Sequence, residues 1–465
     1  MRTTPSARRG ASRLGTRAHA LALLGLFVCS LASCTPGLAT RHRALESELG
    51  PRAAPPADLP GSVGHLGSGS LSRSELVREV LERNPTVRSA EYAFRAALSR
   101  YPQLTALDDP ELAYGLAPGS IGSSSVNDAH KVELKQRLPF PGKLRLRGEE
   151  ALARAEAEKH NLDSVRLELA AVASVLFDDY YYLARAIEIN DEHVVLLENF
   201  KAVATARYEA GSGSQQDPLQ AETELAHLVH QDALLRTRIE LVSQRMNALL
   251  RRDPHDPLLP PPVSLAPVAA PEPQSASPEL ALGRRPELRA AASRVEAEEA
   301  SVAHARREFF PDFTLVGAYN SLWQEDDLRP FVGLSVNVPL QIGRRRAALR
   351  EAEANLGRAQ AERERLSDEV RLSVAQARSK LREAEHVLML YRDRLLPPAE
   401  DRVAAARAGF ETGRNSFLAL IDAERSLRTT ALGLEKARAE RSQSRAELRR
   451  ALGLLTAEPR EVPAR

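Results

Sequence analysis

Cysteine is almost missing from this chain, with only Cys29 and Cys34 in 465 residues. Neither lies beyond position 34, so the body of the protein has no residues for a disulfide framework or a cysteine-ligated metal centre. Charge imbalance is also lacking. The formal charge of +2 includes Arg2, Arg8, Arg9, Arg13 and Arg17 at the extreme N-terminus, and without these five it turns negative. A basic, nucleic-acid-binding reading therefore has no support. After Leu31 no stretch approaches the ~18 consecutive apolar residues of a spanning helix, so any membrane crossing must use β-strands. Nucleotide-binding glycine motifs, a serine hydrolase elbow and a cysteine nucleophile are absent too, and no cofactor is expected.

What is present begins with export. The N-terminal arginines precede an apolar run from about Leu21 to Leu31 with no acidic residue before Cys34, the pattern of a signal peptide over 1–33. Leu31-Ala32-Ser33-Cys34 resembles the bacterial lipobox, in which the cysteine thiol takes a diacylglycerol and becomes the mature N-terminus. Thr35 rather than Asp follows, which implies delivery to the outer membrane. Residues 34–71, rich in Pro, Gly, Ser and Ala, read as a lipid-anchored flexible tether, with folding expected to begin near Ser72 or Ser74.

The rest is written twice. A Pro-rich linker over 253–278 divides a first repeat, 72–252, from a second, 279–453, ahead of a tail at 454–465. At a spacing of about 200 residues, Arg83-Asn84-Pro85 matches Arg284-Arg285-Pro286. Val132–Pro139 matches Val332–Pro339, and Arg207–Gly211 matches Gly409–Gly413. After Gly142 and Gly343 come some sixty-odd residues with few breakers, then a Gly-containing turn and a shorter helix. Leu162, Val165, Leu169, Val172 and Leu176 step by three and four, as do Leu366, Val370, Val374, Ala377 and Leu381. This is coiled-coil spacing. Sixty-odd helical residues would reach roughly 100 Å. Pro397-Pro398 should kink or restart the second long helix.

Between the helices lie four segments that alternate like strands, near 111–117, 131–138, 312–319 and 331–338. Lys131 to Leu138 is the clearest, apolar on one face and charged on the other, as a barrel strand between lipid and water should be. Four strands cannot close a barrel, so several chains must combine.

These features together resemble the TolC-like outer-membrane efflux channels over residues 72–453. Gln136 through Arg147 looks like the branch of that family associated with heavy-metal efflux, though a strand-to-helix junction there would serve geometry equally. The resemblance implies a mainly α fold with a small β part: antiparallel coiled-coil helices forming a periplasmic tunnel, and four strands per protomer in a trimeric 12-stranded outer-membrane barrel. It implies a homotrimer without enzymatic activity. Its partners would be outer-membrane lipid, a periplasmic adaptor and an inner-membrane pump of the resistance-nodulation-division type, and the cargo metal ions or small toxic solutes. The tip residues Gly211, Ser214, Gly413, Arg414 and Ser416 would touch the adaptor. Asp422 falls where an acidic ring lines the closed aperture, while the second acid of that ring would fall at Ala419. The first repeat offers Asp217, which suits either a pore carboxylate or a cap on the returning helix.

Two rivals stand beside this reading. Glu224-x-x-His227 and Glu383-x-x-His386 have the pattern of di-iron carboxylate bundles, and His227 with His230 has the spacing of a weak metal pair. A periplasmic coiled-coil lipoprotein acting as a spacer or adaptor without a pore would share the anchor and the long helices, but not the four alternating segments.

Overall fold

A computed structural model describes residues 36–49, 69–122, 129–265, 277–323 and 325–455. The signal peptide and lipidation site, the middle of the linker and most of the tail lie outside the described residues. The chain divides into two compact units, each drawing on both repeats.

The first unit comprises the described residues among 1–53, 92–159 and 290–363. Its sheet is a four-stranded antiparallel meander, β1 (Glu111–Leu116), β2 (His130–Leu138), β3 (Phe313–Asn320) and β4 (Pro330–Val336), in that order. All four strands fall where alternation and the bounding Pro and Gly residues put them. The register sets Tyr114 opposite Val132, Val132 opposite Tyr319, and Leu315 opposite Leu334. One face is therefore apolar along every strand. The central pairing, β2 with β3, joins the two repeats.

The first departure from expectation lies N-terminal to the sheet. The expected tether is not uniform, because Pro36–Glu48 is a helix, α1. It buries Leu45 against Phe94, Leu98, Tyr101 and Leu152. Arg41 Nε donates to Glu156 at 2.6 Å, Lys159 pairs with Glu48 at 2.5 Å, and His42 stacks on Tyr101. Proline at its start and alanines within it suggest linker composition, yet Leu38, Leu45 and Leu49 supply an apolar stripe that docks on the unit's core.

The second unit comprises the described residues among 54–91, 160–289 and 364–465. In chain order the remaining helices are α2 (Arg73–Arg83), α3 (Pro85–Leu98), α4 (Arg100–Thr105), α5 (Lys143–Glu209), α6 (Gln216–Leu249), α7 (Pro278–Arg284), α8 (Pro286–Arg307), α9 (Ile342–Leu390), α10 (Leu396–Glu411) and α11 (Phe417–Ala451). Ser72 opens α2 as its N-cap, accepting the Glu75 N–H at 3.3 Å. The 67-residue α5 contributes to both units. Its buried seam in the second unit uses Ala173, Leu176, Phe177, Tyr180 and Leu183, packed on α2 and α6. Val172, expected in the seam, is exposed; the small Ala170 and Ala173 take the contact and let the helices approach closely. In the second repeat Val370, Val374, Ala377 and Leu381 are all buried, as expected.

The duplication is visible in the packing as well as the order. The residue before each repeat's proline reaches the end of that repeat's last helix: Asn84 Nδ2 donates to Leu249 O, and Arg285 Nη1 to Arg450 O, both at 3.1 Å. The same two helix ends close alike, with Arg252 N–H on Asn247 O at 2.9 Å and Leu454 N–H on Arg449 O at 2.8 Å. That closure needs a left-handed residue, which is Gly453 in one repeat and Arg251 in the other.

The expected kink at Pro397-Pro398 is realised one turn earlier. These prolines lack the N–H groups that α-helical carbonyls on the preceding turn require, and Tyr391–Leu395 widens into a π-turn before α10 begins. The Tyr391 ring lies against Gly433 of α11, where a Cβ would overlap it.

Candidate channel wall and aperture

The sheet is built like a wall with two unlike sides. Leu112 is 73% exposed, Tyr114 65%, Leu334 64% and Val332 67%, all on one face. A contiguous apolar surface of this kind needs a lipid or protein cover. The opposite face carries Glu133 clamped between Lys131 at 2.6 Å and Lys135 at 2.8 Å. Thr314 and Ser335 continue it. Among the described residues no helix is long and apolar enough to cross a membrane.

Where β2 runs into α5, the segment around Phe140 and Gly142 closes a joint with the approach to β3. Phe140 stacks on Phe310 with ring centroids 4.7 Å apart. Lys143, 2% exposed, donates to Asp312 Oδ1 at 2.9 Å and to Phe310 O at 3.2 Å. Asp312 also accepts the Phe140 N–H at 2.9 Å and Arg137 Nη2 at 3.0 Å. Burial alone would raise the Asp312 carboxyl, but these donors outweigh it and hold the group below its ordinary value. Gly142 takes φ +92 to make the corner. The segment that resembles the heavy-metal branch thus forms a structural joint here.

Two helical hairpins carry the expected tip residues. After α5, Gly211 at φ +72 turns the chain and the Ser212 N–H bonds Arg207 O at 2.8 Å. After α10, Gly413 at φ +74 does the same, with the Arg414 N–H on Gly409 O at 2.8 Å. Both glycines occupy the left-handed region, which explains their place in the repeated motif. Ser416 caps α11 by accepting the Ala419 N–H. Asp217 does not cap α6: the cap position is Gln215 with no side-chain bond, and the Ser214 hydroxyl accepts the Gln216 N–H at 3.1 Å. Asp217 instead lies in the first helical turn, where a carboxylate is favoured by the helix dipole.

The hairpins are tied by residues that the sequence marks only as repeat matches. Arg207 lies over the Phe410 ring at 4.6 Å and donates to Phe410 O at 2.7 Å, and Phe410 packs on Phe417 at 5.4 Å. Behind them runs a charged layer. Asp422, half exposed, faces Arg425 at 3.4 Å; Arg425 also pairs with Glu224 of α6, and the buried Glu424 pairs with His193 Nδ1 of α5. One oxygen of Glu424 remains buried without a partner. Burial pushes the neighbouring Arg428 guanidinium below its ordinary value. No hydrogen bond or ion pair joins Asp217 to Asp422 among the described residues.

The metal readings find no site here. Glu224 is engaged by Arg425, whereas His227, His230, Glu383 and His386 are solvent-exposed. No group of three or more potential ligands forms among the described residues.

The sequence profile of outer membrane efflux proteins matches this chain over residues 76–250 and 277–454, one segment in each repeat. The chain belongs to the outer membrane efflux protein family. Its place is the outer membrane and its role is in efflux. Three solved channels share the fold. CusC, studied for its folding and transmembrane channel formation, is 19% identical with a TM-score of 0.71, over 87% of this chain and 99% of its own. The outer-membrane channel OprN is 22% identical with a TM-score of 0.68, over 83% and 91%. The open state of the Neisseria gonorrhoeae MtrE outer membrane channel is 20% identical with a TM-score of 0.68, over 83% and 91%. No curated protein matches the chain by sequence.

Proposed function

We propose that three copies of this efflux protein join their sheets into one twelve-stranded barrel, each copy anchored by lipid on Cys34. The long helices form the periplasmic tunnel. The barrel is a passive exit duct without catalytic function, for metal ions or small toxic solutes. An inner-membrane pump of the resistance-nodulation-division type delivers them through a periplasmic adaptor. The observation that carries this reading is the four-stranded sheet with one exposed apolar face and two unpaired edges. A spacer that stays in the periplasm would expose that face to water at a cost of roughly 25 cal/mol per Å².

The turns containing Gly211, Ser214, Gly413, Arg414 and Ser416 meet the adaptor, and Asp422 with Asp217 forms the aperture. Carboxylates repeated around an axis favour cations and resist tight closure. The Arg425 guanidinium beside Asp422 and Glu224 would offset that repulsion.

Planar-bilayer conductance of the detergent-extracted full-length protein, with its mass measured on the same sample, tests the proposal. A trimer with discrete, long-lived conductance steps and altered cation preference in Asp422→Ala supports it. A folded protein that is monomeric or never conducts refutes it.

A further inference from the structure

The exposed aromatic residues of the sheet fall on both of its faces, and those on the polar face have no lipid to meet. Tyr114 and Tyr319 lie on the apolar face, where barrel strands ordinarily keep their aromatics. Phe331 lies on the other. It stands opposite Ala318, which stands opposite Glu133, so its ring shares the polar face with the lysine-clamped carboxylate. On the barrel reading that face lines the duct, and Phe331 is 59% exposed there.

The ring is held by what the chain omits two residues on. Phe331 folds back along β4 across Gly333, where an added Cβ would come within 2.8 Å of Phe331 Cε1. Trp323 reaches the same recess from the loop between β3 and β4. That loop is closed on itself. Arg329 Nε donates to Trp323 O at 2.9 Å, Arg329 pairs with Asp326 at 2.5 Å, and the Asn320 N–H bonds Arg329 O at 2.9 Å. Both rings line a recess of about 340 Å³, the size of a small-molecule site. Lys131 and Arg329 line it against one carboxylate, Glu133, which is shared with Lys135 outside the recess.

We propose that this recess receives planar aromatic solutes bearing an acidic group on their way out: Phe331 and Trp323 take the ring, and Lys131 takes the acid. The proposal rests on the duct reading and names a class among its small toxic solutes. A bare cation finds little here, because the carboxylate that lines the recess is held by two lysines and no group of three or more metal ligands forms among the described residues. Stacking and one ion pair at a wet surface bind weakly, and a duct must bind weakly enough to release.

Trp323 is the only tryptophan in the chain, so its fluorescence lifetime reports this recess alone. Full-length protein in lipid nanodiscs, its trimeric mass checked, is titrated with para-nitrobenzoate and separately with acrylamide, which quenches an exposed indole by collision. The nitrobenzoate should quench along a saturating curve and acrylamide along a straight one. The apparent Kd for nitrobenzoate should rise about tenfold in Phe331→Leu and about fivefold in Lys131→Gln. Gly333→Ala, which displaces the Phe331 ring without removing it, should weaken binding as Phe331→Leu does. The cationic counterpart, para-nitrobenzylamine, should bind more weakly than the nitrobenzoate. Straight-line quenching by nitrobenzoate, or a saturating curve that Phe331→Leu leaves unchanged, overturns the recess as a binding site. Equal affinity for the amine overturns the acidic class. The duct reading fails separately: a folded trimer with saturable quenching that never conducts in a planar bilayer refutes the duct and keeps the recess, and a conducting trimer with straight-line quenching does the reverse.

Discussion

The first repeat and the second share a backbone plan and differ wherever their surroundings differ. The joint after β2 is buried and closed by Phe140, Phe310, Lys143 and Asp312, while the joint after β4 is open and lined by arginines. The long helix of the first repeat is unbroken; that of the second gives way to a π-turn and two prolines. A buried ion pair, Arg73 with Asp178, sits beside the core of the first repeat, whereas the buried seam of α9 in the second repeat carries Val370, Val374, Ala377 and Leu381. Duplication has kept the geometry and released the chemistry, as expected when equivalent positions of one chain face its own core in one case and solvent or another copy in the other.

The largest test of this contrast sets the two joints against each other. Lys143→Met removes one of the two cations on the buried Asp312 carboxylate, leaving Arg137, and should destabilise the protein by about 1.5–3 kcal/mol. Arg344→Met, at the exposed joint, should cost about 1 kcal/mol or less. Urea unfolding in detergent compares them; equal effects would mean that the joints are equally buried.

The core ion pair gives a pH test. Burial pushes the Asp178 carboxyl up to about 6, against the opposing pull of Arg73 and Ser442. Folded protein then holds a proton that the unfolded chain has released. The contribution is greatest below the ordinary carboxylate value and falls as pH rises to about 6, by on the order of 3 kcal/mol. Asp178→Asn should flatten the pH profile of stability over that window, and no comparable slope should come from the apolar core of the second repeat.

Smaller effects separate the helices. Gly433→Ala must push against the Tyr391 ring and should cost about 1–3 kcal/mol. Gly357→Ala in α9, where a Cβ meets nothing within 4 Å, should stabilise by up to about 1 kcal/mol. Thermal unfolding distinguishes the two signs. The helix ends provide the finest comparison: Arg251→Gly relieves a left-handed residue at φ 56 and should stabilise by about 1 kcal/mol. Gly453→Ala, whose added Cβ would also crowd the Arg284 backbone, should destabilise by a similar amount or more.

Much of this plan was legible in the residues because it depends on local signals. Alternation marked the four strands, Gly and Pro marked the corners, and the repeated Gly211 and Gly413 marked the hairpins through the left-handed conformation each supplies. What stayed hidden depends on contacts distant in sequence. The helix α1 reads as tether because its stability comes from Arg41 on Glu156 and Leu45 on Phe94, which only folding brings together. The clasp of Lys143 on Asp312 and the need for Gly433 under Tyr391 are likewise properties of pairs. The Arg207–Phe410 tie left only a faint trace, an arginine and an aromatic at repeated positions of the two tips. Asp217, equally suited in sequence to cap or pore, lost the first role once Ser214 was seen to meet the first free N–H of α6.

Amide hydrogen exchange of the extracted, membrane-active assembly tests most directly whether the edge strands β1 and β4 are paired with other copies, as a closed barrel requires. If they are, the amides of β1 and β4 that lack an intrachain partner will be protected as strongly as those of β2 and β3. Rapid exchange along β1 and β4 in an assembly that keeps β2 and β3 protected would contradict the account, leaving an open sheet where it requires a closed barrel.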